Sequence, residues 1–202
     1  RNEARHPSPL LPLALLRSPP FAFGVAGATV LYVVLFMLSF LLPFHLQQAR
    51  GMSAAQAGAI MTAQPAAMAI VAPLSGLVAD RAGARLPSTA GMAAIAIGLA
   101  LVAWGADAGD ARLAASLAVM GIGAGLFVAP NNAVIMGAAP RERQSTAAAI
   151  AATARNVGMM TGIAIAATLQ IALGFRRSIL VAAALAALGA AFGLARPAPR
   201  TP

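Results

Sequence analysis

The sequence predicts an all-α, polytopic membrane protein, and three observations carry that class. Of its 202 residues, 60% are hydrophobic and only 9% are charged, with a mean hydropathy of +0.82; a soluble domain is about 25% charged. The charges cluster, leaving charge-free runs over 18–49, 51–79, 86–106, 113–140, 156–175 and 178–195. Each run approaches or exceeds the roughly 18 to 20 residues a helix needs to cross the hydrocarbon core. None alternates apolar and polar residues over about 10 positions, as a barrel strand would.

Six helices follow, over residues 21–46, 54–79, 87–106, 113–137, 146–173 and 178–195. Ahead of them, residues 1–20 read "RNEARHPSPLLPLALLRSPP", with three arginines and many prolines but no apolar core ending in a cleavage site. This is a cytoplasmic linker rather than a signal peptide, and it implies that the chain starts inside a longer protein. Residues 196–202 form a second cytoplasmic tail.

In the first span, Tyr32, Phe36, Phe40 and Phe44 recur every four residues and make a slowly drifting stripe. Such a stripe serves packing or lipid contact more often than ligand binding; Tyr32 and Phe36 are nevertheless candidates for a cavity wall. The second span carries Gln64 before Pro65, and then Pro73; the third carries Gly91, Gly98 and Gly105 at seven-residue intervals. The fourth, "GIGAGLFVAPNNAVIM", places Pro130 before Asn131 and Asn132. A proline inside a membrane helix frees a backbone carbonyl that a nearby amide can satisfy. Gln64, Asn131 and Asn132 therefore have two open readings, as repair of kinked helices or as lining of a polar cavity.

Arg155 lies nine residues into the fifth span, roughly 13 Å from Thr146 at the helical rise. It either snorkels to the interface or points inward to bind an anion or a carboxylate; its neighbours Gly158, Met159 and Gly162 favour the inward position. The pairs Gly121 and Gly125, Gly158 and Gly162, and Gly189 and Gly193 are GxxxG spacings that let helix backbones approach closely in lipid.

The formal net charge of +9 is distributed by loop. With the N-terminus in the cytoplasm, nine arginines fall in inside segments (Arg1, Arg5, Arg17, Arg81, Arg85, Arg141, Arg143, Arg196, Arg200) and four outside (Arg50, Arg112, Arg176, Arg177). This is the positive-inside bias, and it puts both termini in the cytoplasm. Nucleic acid is excluded as a partner, because no soluble face gathers the basic residues. Arginine without lysine, beside abundant alanine, points to a GC-rich bacterial genome and hence to a bacterial inner membrane.

Catalysis is excluded by inventory. There is no cysteine, His6 and His45 are far apart, and Glu3, Asp80, Asp107, Asp110 and Glu142 all fall in loops. No zinc motif, acid and base pair or cofactor-binding pattern can be assembled from them. Ser39, Ser75 and Ser116 lack the Gly-flanked turn of an intramembrane serine nucleophile.

The remaining signal is "GLVADRAGAR", residues 76–85, where charge concentrates in an otherwise apolar stretch. Gly76, Asp80, Arg81, Gly83 and Arg85 match the G-x-x-x-D-R-x-G-x-R pattern, and the stretch falls between the second and third spans. This resembles the cytoplasmic loop motif of major facilitator superfamily transporters. "LPFHLQQARGMSAAQAG", "GAGLFVAPNNAVIMGAAPRERQSTAAA" and "ATARNVGMMTGIAIA" extend the resemblance to the last six helices of the fourteen-helix drug:proton antiporter branch.

The resemblance implies a six-helix half of two inverted three-helix repeats, packed on an N-terminal half around a central cavity near the midplane. It implies that the loop is a conformational latch, in which Asp80 caps a helix N-terminus of the partner half while Arg81 and Arg85 donate to nearby acceptors. A simple charged turn that sets orientation is the alternative. No acid lies inside a span, so proton coupling would have to come from the N-terminal half.

The expected function is thus one half of a proton-driven exporter of small amphipathic molecules, needing a small-molecule substrate, the partner half and lipid. The alternatives are a non-transporting six-span assembly or regulatory protein and a half-size transporter that dimerises. The scaffold also serves sugar, amino-acid and siderophore export, so the fold does not dictate the cargo.

Overall fold

The computed structural model describes residues 13–194; the linker calls at Arg1, Arg5 and His6 and the tail calls at Arg196 and Arg200 lie outside the described residues. The described residues form helices and connecting turns with no strand. In chain order these are α1 (Leu13–Leu16), α2 (Pro19–Phe44), α3 (Ala54–Met61), α4 (Ala63–Ala82), α5 (Arg85–Gly105), α6 (Asp110–Gly137) and α7 (Gln144–Leu194). The chain is a multi-pass membrane protein by the length and apolarity of α2 and of α4 to α7.

Local chemistry explains the boundaries. Proline occupies the first two positions of α2, where its missing N–H costs nothing, so the helix begins at residue 19 rather than 21. Its far end loosens into a π-helical turn, His45–Ala49. Ser53 then caps α3: its Oγ accepts from the Gln56 amide at 3.3 Å while the Gln56 side chain accepts from the Ser53 amide at 3.0 Å.

The expected second span is two helices, α3 and α4, joined at Thr62. Pro65 therefore sits in the first turn of α4, where proline is tolerated, instead of kinking the middle of a helix. α4 runs on to Ala82 and stops at Gly83, whose φ of 77° and ψ of 157° are accessible in practice only to glycine. Arg85, expected in the loop, is the first residue of α5.

The expected fifth and sixth spans are continuous as α7 except at Gly174, where φ is 74° and ψ is 175°. The chain reverses there. Gly158 packs on Thr29 and Gly162 on Val33, yet Phe175 stacks on His45 and Gly189 touches Val30. The first arm of α7 thus runs parallel to α2 and the second antiparallel to it.

The same contacts orient the remaining helices. Gly121 and Gly125 of α6 lie against Gln64 and Met68 of α4 in parallel, whereas Gly91 and Gly98 of α5 lie against Gly123 and Met120 of α6 in antiparallel order. α2, α5 and the first arm of α7 finish at what we call the upper end of the bundle; α4, α6 and the second arm of α7 finish at the lower end.

The glycine pairs are the seams. A methyl group at Gly158 would come within 2.7 Å of the Thr29 carbonyl oxygen, and one at Gly123 within 2.6 Å of the Gly91 carbonyl oxygen. Lipid supplies little drive for apolar faces to associate, so these close backbone approaches and their dispersion contacts hold the helices. Between them the main core gathers Leu31, Met37, Leu41, Ile95, Leu99, Leu117 and Met120, all nearly inaccessible, and a smaller one gathers Phe21, Ile135 and Ala147. The outward stripe of α4, Ile70, Leu74, Leu77 and Val78, is exposed and apolar, which suits contact with lipid chains.

Candidate functional site

Three helices leave a cavity of about 320 Å³ between them. α2 contributes Ala28, Leu31 and Tyr32; α6 contributes Phe127, Val128, Asn131, Asn132, Ile135 and Met136; the first arm of α7 contributes Ala148, Ala151, Ala152 and Arg155. On each helix the spacing is three and four residues, one face of an α-helix. The α7 wall is alanine until Arg155, so the space exists because small side chains stand where leucines would fill it.

Asn131 is 1% exposed and joins two walls: its Nδ2 donates to the Gly24 carbonyl of α2 at 2.9 Å. The amide therefore ties α6 to its neighbour rather than serving the carbonyl of Leu126, which Pro130 leaves without its helical donor. The approach is close, since a methyl at Gly24 would come within 2.6 Å of Ile135. The Asn131 Oδ1 is buried without a hydrogen-bond partner in the structure.

Among the described residues Arg155 is the one charged residue lining the cavity. Its guanidinium lies over the Tyr32 ring, 5.8 Å from the centroid, in a cation–π arrangement. Among the described residues its charge has no carboxylate partner; the ion pairs are His45 with Asp107 and Arg50 with Asp110, both at the upper end.

The structure thus brings together four of the six residues expected to line a cavity: Tyr32, Asn131, Asn132 and Arg155. Phe36 and Gln64 do not line it. Phe36 is one helical turn above Tyr32 and partly buried, and Gln64 belongs to α4, where its backbone packs on Gly121 on another side of α6.

The 76–85 motif occupies the lower end, and none of its residues lines the cavity. Asp80 and Arg81 are exposed, and a methyl group at Gly76 or Gly83 would meet nothing within 4 Å. Arg85 Nη2 donates to the carbonyl of Leu194 in the last turn of α7. A cation at a helix C-terminus complements both the unpaired carbonyls and the helix dipole.

The upper end holds a cluster that sequence reasoning missed. His45 Nε2 lies 2.9 Å from Asp107 Oδ1, and the imidazole stacks on Phe175 with centroids 4.0 Å apart. Arg50 donates to the Ala106 carbonyl at 3.1 Å and to Asp110 at 2.6 Å. Arg176 covers the Trp104 ring at 5.7 Å. The signal in the sequence was that Asp107, Asp110 and Arg50 fall in loops at the end of the bundle where His45 closes the first span. Among the described residues no three His, Asp or Glu side chains converge to hold a metal ion.

Comparison with known proteins places this geometry. The family model described as Major Facilitator Superfamily matches residues 7–202. An Escherichia coli protein named uncharacterized transporter YebQ is 34% identical over 194 residues, covering 94% of this chain and 42% of the relative. The riboflavin transporter RibZ of Clostridioides difficile is 32% identical over 81% of the chain and 36% of its own length. The multidrug resistance protein Stp of Mycobacterium tuberculosis is 29% identical over 81% of the chain and 30% of its own length.

A structure solved in a study of substrate recognition in proton dependent oligopeptide transporters superimposes with a TM-score of 0.73 at 18% identity, covering 92% of this chain and 42% of that one. The chain spans less than half the length of each of these relatives.

Proposed function

Because the chain belongs to the major facilitator superfamily, we propose that it is one half of an alternating-access exporter of small amphipathic molecules, whose cavity wall is the α2, α6 and α7 site. The single observation that carries this reading is the cavity itself. It is largely apolar, with a few polar groups converging from different helices, the composition of a small-molecule site. Relatives named multidrug resistance protein and tetracenomycin C resistance and export protein support an outward, drug-like cargo. The chain is no enzyme: the relatives are named as transporters or as resistance and export proteins.

In this reading α2, α4, α5, α6 and the two arms of α7 all cross the membrane, the lower end faces the cytoplasm, and a second, N-terminal half completes the cavity. Proton drive requires a carboxyl inside the membrane that that half supplies, since Asp80, Asp107, Asp110 and Glu142 all sit at helix ends or in turns. Asp80, Arg81 and the open side of Gly76 form the latch. The exposure of Asp80 and Arg81, and the open space beside Gly76 among the described residues, support a surface reserved for the other half.

The test is efflux. Cells carrying the full-length protein should expel an amphipathic dye such as ethidium, and the Asn132→Leu variant at equal expression should lose most of that activity. Efflux that does not depend on the protein would refute the reading.

A further inference from the structure

We infer that the Arg155 guanidinium, held over Tyr32, is an anion-recognition point, so that the preferred cargo of this cavity is an apolar molecule bearing a carboxylate or a similar planar anion. The inference rests on the proposal that the cavity is a substrate site, and adds the chemical class of the substrate.

Four observations carry it. First, Arg155 is eleven residues past Gln144 in α7, about 16 Å along an apolar helix, and its exposed side chain lines the cavity. A charge placed there is costly, and such groups characteristically mark substrate or ion pathways. Second, the side chain does not extend along α7 toward the lower end; it reaches across to the Tyr32 ring. A cation–π contact uses none of the guanidinium N–H groups, so its donors are left available, and their fork matches a carboxylate with two parallel bonds.

Third, among the described residues no acid lines the cavity: Asp107 and Asp110 are paired at the upper end, while Asp80 and Glu142 are exposed at the lower end. Fourth, the surrounding wall is apolar, with Leu31, Phe127 and Ile135 opposite the charge. A strongly hydrated small anion gains little from such a wall, whereas an aromatic acid gains both the ion pair and the burial of its ring. The carboxylate could equally be a side chain of the other half, and the experiment separates the two sources.

The probes are 2-naphthaleneacetate and its neutral amide, titrated by calorimetry against the full-length protein in lipid nanodiscs. If Arg155 receives the cargo's anion, the acid binds about tenfold more tightly than the amide. In Arg155→Gln that preference falls to within about twofold, and in Arg155→Lys it persists in part because the charge is kept. Equal affinity of the two probes for the unsubstituted protein overturns the inference, since a protein carboxylate would then already occupy the guanidinium, and leaves the cavity reading intact. Binding of neither probe overturns both. Should Arg155→Gln fail to accumulate, the acid-to-amide ratio in the unsubstituted protein and in Arg155→Lys decides the matter alone.

Discussion

The two ends of the bundle use their charges in opposite ways. At the upper end His45, Arg50, Asp107 and Asp110 pair with one another across the π-helical turn and the α5–α6 connection, and Phe175 from the reversal in α7 stacks on the imidazole. At the lower end Asp80 and Arg81 are exposed, and Arg85 donates to the Leu194 carbonyl. Internal pairing ties these connections to one another. Charges left facing outward are available to something else. The comparison teaches that the charged loops of such a protein are not equivalent: one closes the bundle on itself and the other presents it to a partner.

Substitutions at both ends can break this contrast. The largest effect is expected for Asp80→Asn in the full-length protein, with ethidium efflux falling about tenfold or more while thermal unfolding is unchanged. Such a split between function and stability marks a group whose interaction forms in only one conformational state. Unchanged efflux at equal expression would reduce the lower loop to a turn that sets orientation.

Gly83→Ala should come next. The φ and ψ at this position belong to a region that costs a side-chain-bearing residue about 1 to 3 kcal/mol, so denaturation should show a loss of that size although the added methyl meets no neighbour. Arg50→Ala should lower stability by about 1 to 2 kcal/mol, because it removes a bond to the Ala106 carbonyl as well as the ion pair, and should leave efflux per folded molecule unaltered. An efflux defect without loss of stability would erase the distinction between the ends. The smallest change is expected for Asp107→Asn, below about 0.5 kcal/mol, since its side chain is 76% exposed and water screens the pair.

The legible part of this molecule was whatever depends on one helix at a time. Hydropathy located the helices, and glycine spacing located the faces on which Gly121, Gly158 and Gly189 meet neighbours. Four of the cavity residues gathered because each carries polarity or charge that a lipid-facing position would not tolerate. Phe36 and Gln64 did not gather, for geometric reasons. A four-residue step rotates about 40° and rises about 6 Å, which carries Phe36 away from the Tyr32 level. Gln64 lies on a helix that meets α6 but not the first arm of α7 around the cavity, and which helices become neighbours is decided by packing in three dimensions. The upper cluster was hidden for the same reason, as His45 and Asp107 belong to different connections.

The pairing of α2 with α7 also sets a timetable. Within this chain α2 leaves the ribosome long before α7, yet the groove along Thr29 and Val33 is covered by Gly158 and Gly162 of α7. Contacts between such distant parts of a chain form late and slowly. Until α7 is inserted, α2 must wait in the bilayer with backbone that only glycine can approach, and the cavity, walled by both helices, has no existence. A nascent chain halted after α6 would therefore be a substrate for quality control rather than a partly working bundle.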